Sequence, residues 1–77
     1  MDETALIQQA KQGDLDAFNR LVLAYQEQTY NLALRILGDD PSAQDATQVS
    51  FINAYQSIKS FRGGSFRAWI LRILTNA

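Results

Sequence analysis

From Phe18 to Leu37 the residues able to fill a core return at spacings of three and four: Phe18, Leu21, Val22, Tyr25, Thr29, Leu32, Ala33, Ile36 and Leu37. Only a helix brings such positions to one face, so the stretch predicts an amphipathic α-helix of about six turns. Asp14 is its candidate N-cap and Gly38 its stop. The rest of the chain is punctuated in the same way. Thr4 to Gln12 predicts a short helix, capped by Asp2 or Glu3 and ended at Gly13. Asp40-Pro41 opens a third helix, with proline at the first helical position, where its missing N–H costs nothing. That helix is expected to run to about Lys59 and to turn Val49, Ile52, Tyr55 and either Phe51 or Ile58 to the core. Ser65 caps a fourth, on which Phe66, Trp69, Ile70, Ile73, Leu74 and Ala77 share one broad apolar arc.

No strand-like alternation, repeat or flexible linker interrupts these four segments. The expected fold is all-α, a compact bundle of a short first helix and three longer ones, within a single domain spanning residues 1–77. The fourth helix meets the last residue in mid-pattern without a cap, so the natural chain is expected to continue it, with a frayed terminal helix as the alternative.

Several kinds of chemistry are excluded by what is missing. The chain has neither cysteine nor histidine, which removes thiolate chemistry, disulfides, the commonest general base and the commonest metal ligand. Its eight carboxylates are scattered, and Asp39-Asp40 stands where helix capping accounts for it. Gly63-Gly64 has no preceding strand and no following Gly-Lys-Ser, so it reads as a hinge between helices rather than a phosphate loop. The expectation is a protein that is not an enzyme and takes no cofactor or metal. Met1-Asp2-Glu3 does not begin a signal peptide, and no apolar run nears membrane-spanning length; a cytoplasmic protein without membrane insertion is expected.

Charge divides the chain. Every acid lies at or before Asp45, and from Ala46 onward the only charges are Lys59, Arg62, Arg67 and Arg72, an asymmetry hidden by a net charge of −1. An acid-free, aromatic-bearing end on an acidic body suggests a nucleic-acid footprint. Within it, Trp69 and Phe66 share the apolar arc and are expected in the core, with a DNA-wedging Trp69 as the sharper alternative. Phe61 lies outside either helical stripe and either caps the core from the loop or stacks on an unpaired base. Arg72 and Asn76 share a stripe beginning at Ser65 on one side of the arc, and Arg67 lies with Leu71 and Thr75 on the other. Arginine and lysine offer phosphate contacts, whereas asparagine and serine can read base edges. Asp45 and Gln48 face the same way near the start of the third helix, either as an ordinary polar face or as a docking face.

The order Asp45-Ala46-Thr47-Gln48, Phe51, Tyr55, Phe61-Arg62-Gly63, Ser65-Phe66, Trp69, Arg72-Ile73 and Asn76 resembles the promoter-recognition domain, region 2, of the sigma-70 family, specifically its extracytoplasmic-function (ECF) group. Ala10-Lys11, Gly13-Asp14 and Ala17-Phe18 are similar to that group's opening helices. The resemblance implies a transcription-initiation domain that binds the clamp helices of core RNA polymerase and recognises the minus-ten promoter element as a melted non-template strand. It places Asp45 and Gln48 on the clamp-binding helix. It makes Phe61 and the loop Arg62, Gly63, Gly64 and Ser65 the wall of a pocket for a flipped-out base. It sets Asn76 beside a neighbouring base or backbone position and makes Arg62, Arg67 and Arg72 candidates for phosphate contacts, while Lys59 joins the expected DNA-binding residues through the acid-free run. The family also implies an anti-sigma factor as partner, and a degenerate sigma-like module that binds only such a protein is the alternative reading. Three features depart from the pattern. Val49 stands where many members place Glu, the loop is one residue shorter than the common form, and the family's second, helix-turn-helix domain is absent from these 77 residues.

Overall fold

The computed structural model describes residues 2–76, and four α-helices account for most of them: α1 Glu3–Lys11, α2 Leu15–Leu37, α3 Asp40–Ser57 and α4 Phe66–Thr75. A 3-10 turn, Ile58–Ser60, continues α3 toward the loop before α4. Among the described residues there is no strand. The sequence-based expectation of an all-α bundle of four helices is what the chain adopts.

Each helix starts on a side chain that satisfies a free backbone N–H. Asp2 Oδ1 accepts from Thr4 N–H at 3.0 Å, and Asp14 Oδ1 from Ala17 N–H at 3.1 Å. Asp39 Oδ2 accepts from Ser42 N–H at 2.9 Å, and Ser65 Oγ from Ala68 N–H at 3.0 Å. The α3 cap is thus Asp39, which leaves Asp40 and Pro41 as the first two helical residues. Gly38 ends α2 in the left-handed conformation, its N–H donating to Leu34 O at 2.8 Å.

At about 1.5 Å per residue, the 23 residues of α2 span the 35 Å long axis of the domain. α2 packs most extensively on α3 and then on α1, while α4 lies against both α2 and α3. The main core joins Leu6, Ile7 and Ala10 of α1, Phe18 and Leu21 of α2, Phe51, Ala54 and Ile58, and Phe66 and Ile70 of α4. A smaller cluster of Ala33, Ala43 and Leu74 closes the other end. Apart from Leu21, the residues of α2 and α3 at no more than 1% exposure are small: Thr29, Ala33, Ala43, Ser50 and Ala54. The two buried hydroxyls are satisfied within their own helices, Thr29 Oγ1 donating to Tyr25 O at 2.9 Å and Ser50 Oγ to Ala46 O at 2.7 Å.

Two expectations about facing are corrected. On α3, Val49, Ile52 and Tyr55 are exposed, by 39%, 53% and 40%, and the buried stripe is Ala43, Ser50, Phe51, Ala54 and Ile58. Both sets fit a helical period, and α3 turns its small side chains inward because they let α2 approach closely; Phe51 and Ile58 are both buried. On α2, Ile36 and Leu37 are exposed beyond the reach of the small cluster. The α4 arc holds, with Phe66, Ile70 and Leu74 buried and Trp69 and Ile73 half-buried; Ala77 lies outside the described residues.

Candidate nucleic-acid interface

The acid-free end folds into a 3-10 turn, an exposed loop and the helix it feeds. Phe61 leaves the turn in an extended conformation, its N–H donating to Ile58 O at 3.1 Å. Gly63 and Gly64 then take φ of +99° and +82°, where a side chain is strained although nothing lies within 4 Å of either missing Cβ. Backbone conformation, not crowding, requires the glycines. Ser65 then caps α4, which has no acid in its first turn, whereas α1, α2 and α3 carry Glu3, Asp16 and Asp40 there. The partial positive charge of the α4 N-terminus is therefore uncompensated by its own sequence.

Beneath the loop sits an aromatic floor. Phe61 meets Phe66 at 5.8 Å between ring centroids and Trp69 at 5.3 Å, both edge to face, while Phe66 and Trp69 are 5.6 Å apart. Of the two roles left open for Phe61, the ring occupies the core one, being only 4% exposed. A base meeting this loop would meet its backbone, with Phe61 behind it.

Arg62, Gly63 and Gly64 face α1 across a cleft of about 290 Å³, whose opposite wall includes Ile7, Gln8 and Lys11. The Lys11 ammonium donates to Phe61 O at 2.7 Å. Reasoning from the sequence missed this α1 wall, and no spacing signal could reveal a contact across fifty residues. Lys59 is exposed in the turn that leads to the loop. The remaining site residues spread along α4. Arg67 turns to α2, where its Nε donates to Gln28 Oε1. Arg72 and Asn76 are exposed at the far end, roughly 16 Å along the helix axis from Ser65 for Asn76. The loop and the C-terminal end of α4 are thus separated along the helix, with Arg67 turned toward α2 and Arg72 and Asn76 exposed beyond it.

A second surface lies between α2 and α3. Here an open groove of about 920 Å³ is floored by Phe18, Val22 and Phe51 and rimmed by Leu15, Ile52 and Tyr55. Tyr55 meets Phe18 edge to face at 5.1 Å without being covered by it. Gln48 stands on the rim; Asp45, exposed three residues earlier, lies outside the groove. The structure brings Gln48 together with Ile52 and Tyr55, residues that pattern reading had assigned to the core.

Two tyrosines tie the helices by their hydroxyls. Tyr25 OH donates to Glu3 of α1, and this bond, burial and the Glu3 charge raise its pKa above 10.0, with Arg67 opposing. Tyr30 OH donates to Asp40, which raises its pKa likewise. Asp39 is held below its ordinary 3.8, first by the Ser42 backbone N–H and then by the Ser42 hydroxyl.

Comparison with known proteins adds a family to this geometry. The family model for Sigma-70 region 2 matches residues 21–77. The chain is 42% identical over 72 residues to the RNA polymerase sigma-H factor of Pseudomonas aeruginosa, covering 92% of this chain and 37% of that protein. It is 44% identical over 71 residues to the ECF RNA polymerase sigma factor SigW of Bacillus subtilis, covering 91% and 38%. An NMR structure of an engineered region 2 of sigmaE in complex with GTAAAA superposes with a TM-score of 0.91 at 32% identity, over 99% of this chain and 80% of that one. The chain belongs to the sigma-70 family, as a region 2 domain of the ECF group. It spans less than two fifths of the length of these two full-length relatives.

Proposed function

We propose that this domain acts in transcription initiation by recognising the melted minus-ten element of a promoter. In this reading the Arg62–Ser65 loop captures a base turned out of the non-template strand, and the strand continues along α4 to Asn76. The observation that carries it is that the acid-free run folds into an exposed loop and the helix it feeds: Lys59 and Arg62 precede glycines whose missing Cβ positions are open, and Arg67 and Arg72 follow along α4. The fold shared with a sigmaE region 2 in complex with GTAAAA supports it. Backbone approach suits capture of a single base, since a flipped base offers its hydrogen-bonding edge and a stacking face at once.

The α2–α3 groove has a different character, apolar and exposed, and suits protein rather than DNA. It is assigned here to the clamp helices of RNA polymerase, with Gln48, Ile52 and Tyr55 as contacts and Asp45 as a flanking charge. An anti-sigma factor would use the same groove and compete with polymerase.

Binding of the single-stranded hexamer GTAAAA, of its scrambles and of duplex DNA over a range of salt tests the DNA reading. Single strands should bind more tightly than duplex, one hexamer sequence should be preferred, and affinity should fall steeply with salt as counterions are released. Equal affinity for random duplex would defeat base capture.

A further inference from the structure

Among the described residues, two side-chain hydrogen bonds tie α1 to distant parts of the chain: Glu3 to Tyr25 near its start, and Lys11 to Phe61 O at its end. The second reaches the residue where the chain enters the loop. No backbone N–H bonds to Phe61 O among the described residues, so Lys11 satisfies a carbonyl that secondary structure leaves free. Two consecutive glycines follow within three residues, where the backbone has the most freedom to lose. Lys11 is itself half-buried, and its stem forms part of the α1 wall of the 290 Å³ cleft.

We propose that Lys11 is a positioning residue for base capture: by holding the Phe61 carbonyl it fixes the direction in which the chain enters Arg62-Gly63-Gly64, and so presets the loop before DNA arrives. Residues 3–11, which lie outside the segment matched by the family model, thereby become part of the nucleic-acid site. A charge-assisted bond is the strong kind, and one made before binding reduces the ordering that binding must otherwise complete. The DNA half of this inference rests on the function proposed above; the loop half does not.

The test uses Lys11→Met, which keeps the apolar stem without the charge, and Lys11→Arg, which keeps a donor. Backbone ¹⁵N relaxation of the DNA-free domain should show Gly63 and Gly64 near the rigid order parameter of about 0.85 in the parent and below about 0.6 in Lys11→Met. Ala33 in α2 should not change, and Lys11→Arg should restore the loop. With hexamers, Lys11→Met should reduce the ratio of affinities for preferred and scrambled sequences about tenfold, the loss of a hydrogen bond to a charged group, and leave the salt dependence intact. An unchanged loop in Lys11→Met, or loosening spread equally through α2, overturns the proposal. So does a salt slope reduced by about 0.7 with discrimination preserved, because Lys11 would then be a phosphate contact. If the parent domain itself shows no hexamer preference, the proposed function fails while the relaxation comparison still decides the latch.

Discussion

Phe61 and Phe66 meet edge to face at 5.8 Å with the whole of the exposed loop strung between them. The loop is therefore closed on an aromatic clasp, and its shape depends on rings buried beneath it. Phe66→Ala should cost about 3–5 kcal/mol, as large-to-small changes in a packed core do, because the ring is 1% exposed. Trp69→Ala should cost less, its ring being half-buried. Phe61→Leu should keep the melting temperature within a few degrees and yet weaken hexamer discrimination. Thermal melts beside binding titrations check all three.

The loop glycines should differ in what they tolerate. Gly64→Ala places a side chain at φ of +82° and should cost about 1–2 kcal/mol. Gly64→Asn should cost less, since asparagine visits left-handed backbone most readily among the other residues. As no atom lies within 4 Å of the added Cβ, a large β-branched residue should fail through backbone strain and not through a clash. Chemical denaturation of the three variants orders them.

At the far end of α4, Asn76→Ala should leave stability unchanged and alter base preference, because the side chain is exposed and only its backbone N–H is used, donating to Arg72 O at 2.9 Å. Arg72→Ala should weaken binding to all single strands alike and lower the salt slope by about 0.7. Arg67→Ala should also release Gln28 on α2, so it alone of the arginines on α4 should lower both affinity and melting temperature.

Beside the groove proposed to take the polymerase clamp, Val49→Glu should fold normally, with a stability change within about 0.5 kcal/mol, because Val49 is 39% exposed and does not line that groove. Clamp binding should strengthen, mainly through faster association with a basic surface. Ile52→Asp should leave the fold intact and abolish clamp binding. Circular dichroism together with association kinetics separates folding from docking.

pH should act at both extremes. Asp39 has a lowered folded pKa, so its cap contributes fully above its ordinary 3.8 and is lost as pH falls through the lowered value. Tyr25 has a raised one, so its bond to Glu3 contributes fully below 10.0 and is lost as pH rises through the raised value. Tyr25→Phe should remove the alkaline loss at a cost of ~0.5 kcal/mol near neutral pH, where the pair is partly screened by solvent. Melting temperatures of parent and variant across alkaline pH should converge.

Helix limits were legible because each start carries an Asp or Ser whose oxygen can reach a backbone N–H two or three residues on, a relation contained within a few residues of sequence. The basic end was legible because charge sums along the chain as it does in space when one turn, the loop after it and one helix hold all four cations. The inward face of α3 was not. Val49, Ile52 and Tyr55 offer more apolar bulk than Ser50 and Ala54, and only the closeness of a neighbouring helix makes the smaller stripe the better one to bury. The same misreading hid the groove, since its rim had been assigned to the interior. Lys11 escaped for a simpler reason: its partner is a carbonyl, which every residue has.

The small residues between α2 and α3 act as a gauge. With Thr29, Ser50, Ala43 and Ala54 each at 0% exposure and Ala33 at 1%, there is no slack behind the groove, and an added methyl group must push the two helices apart. The distance between Phe18 and Tyr55 on the outer side is set from within, by alanines and hydroxyls that no partner ever touches. A change such as Ala54→Val would therefore surface as a wider groove, and a poorer fit to the clamp helices proposed to fill it, before it surfaced as unfolding.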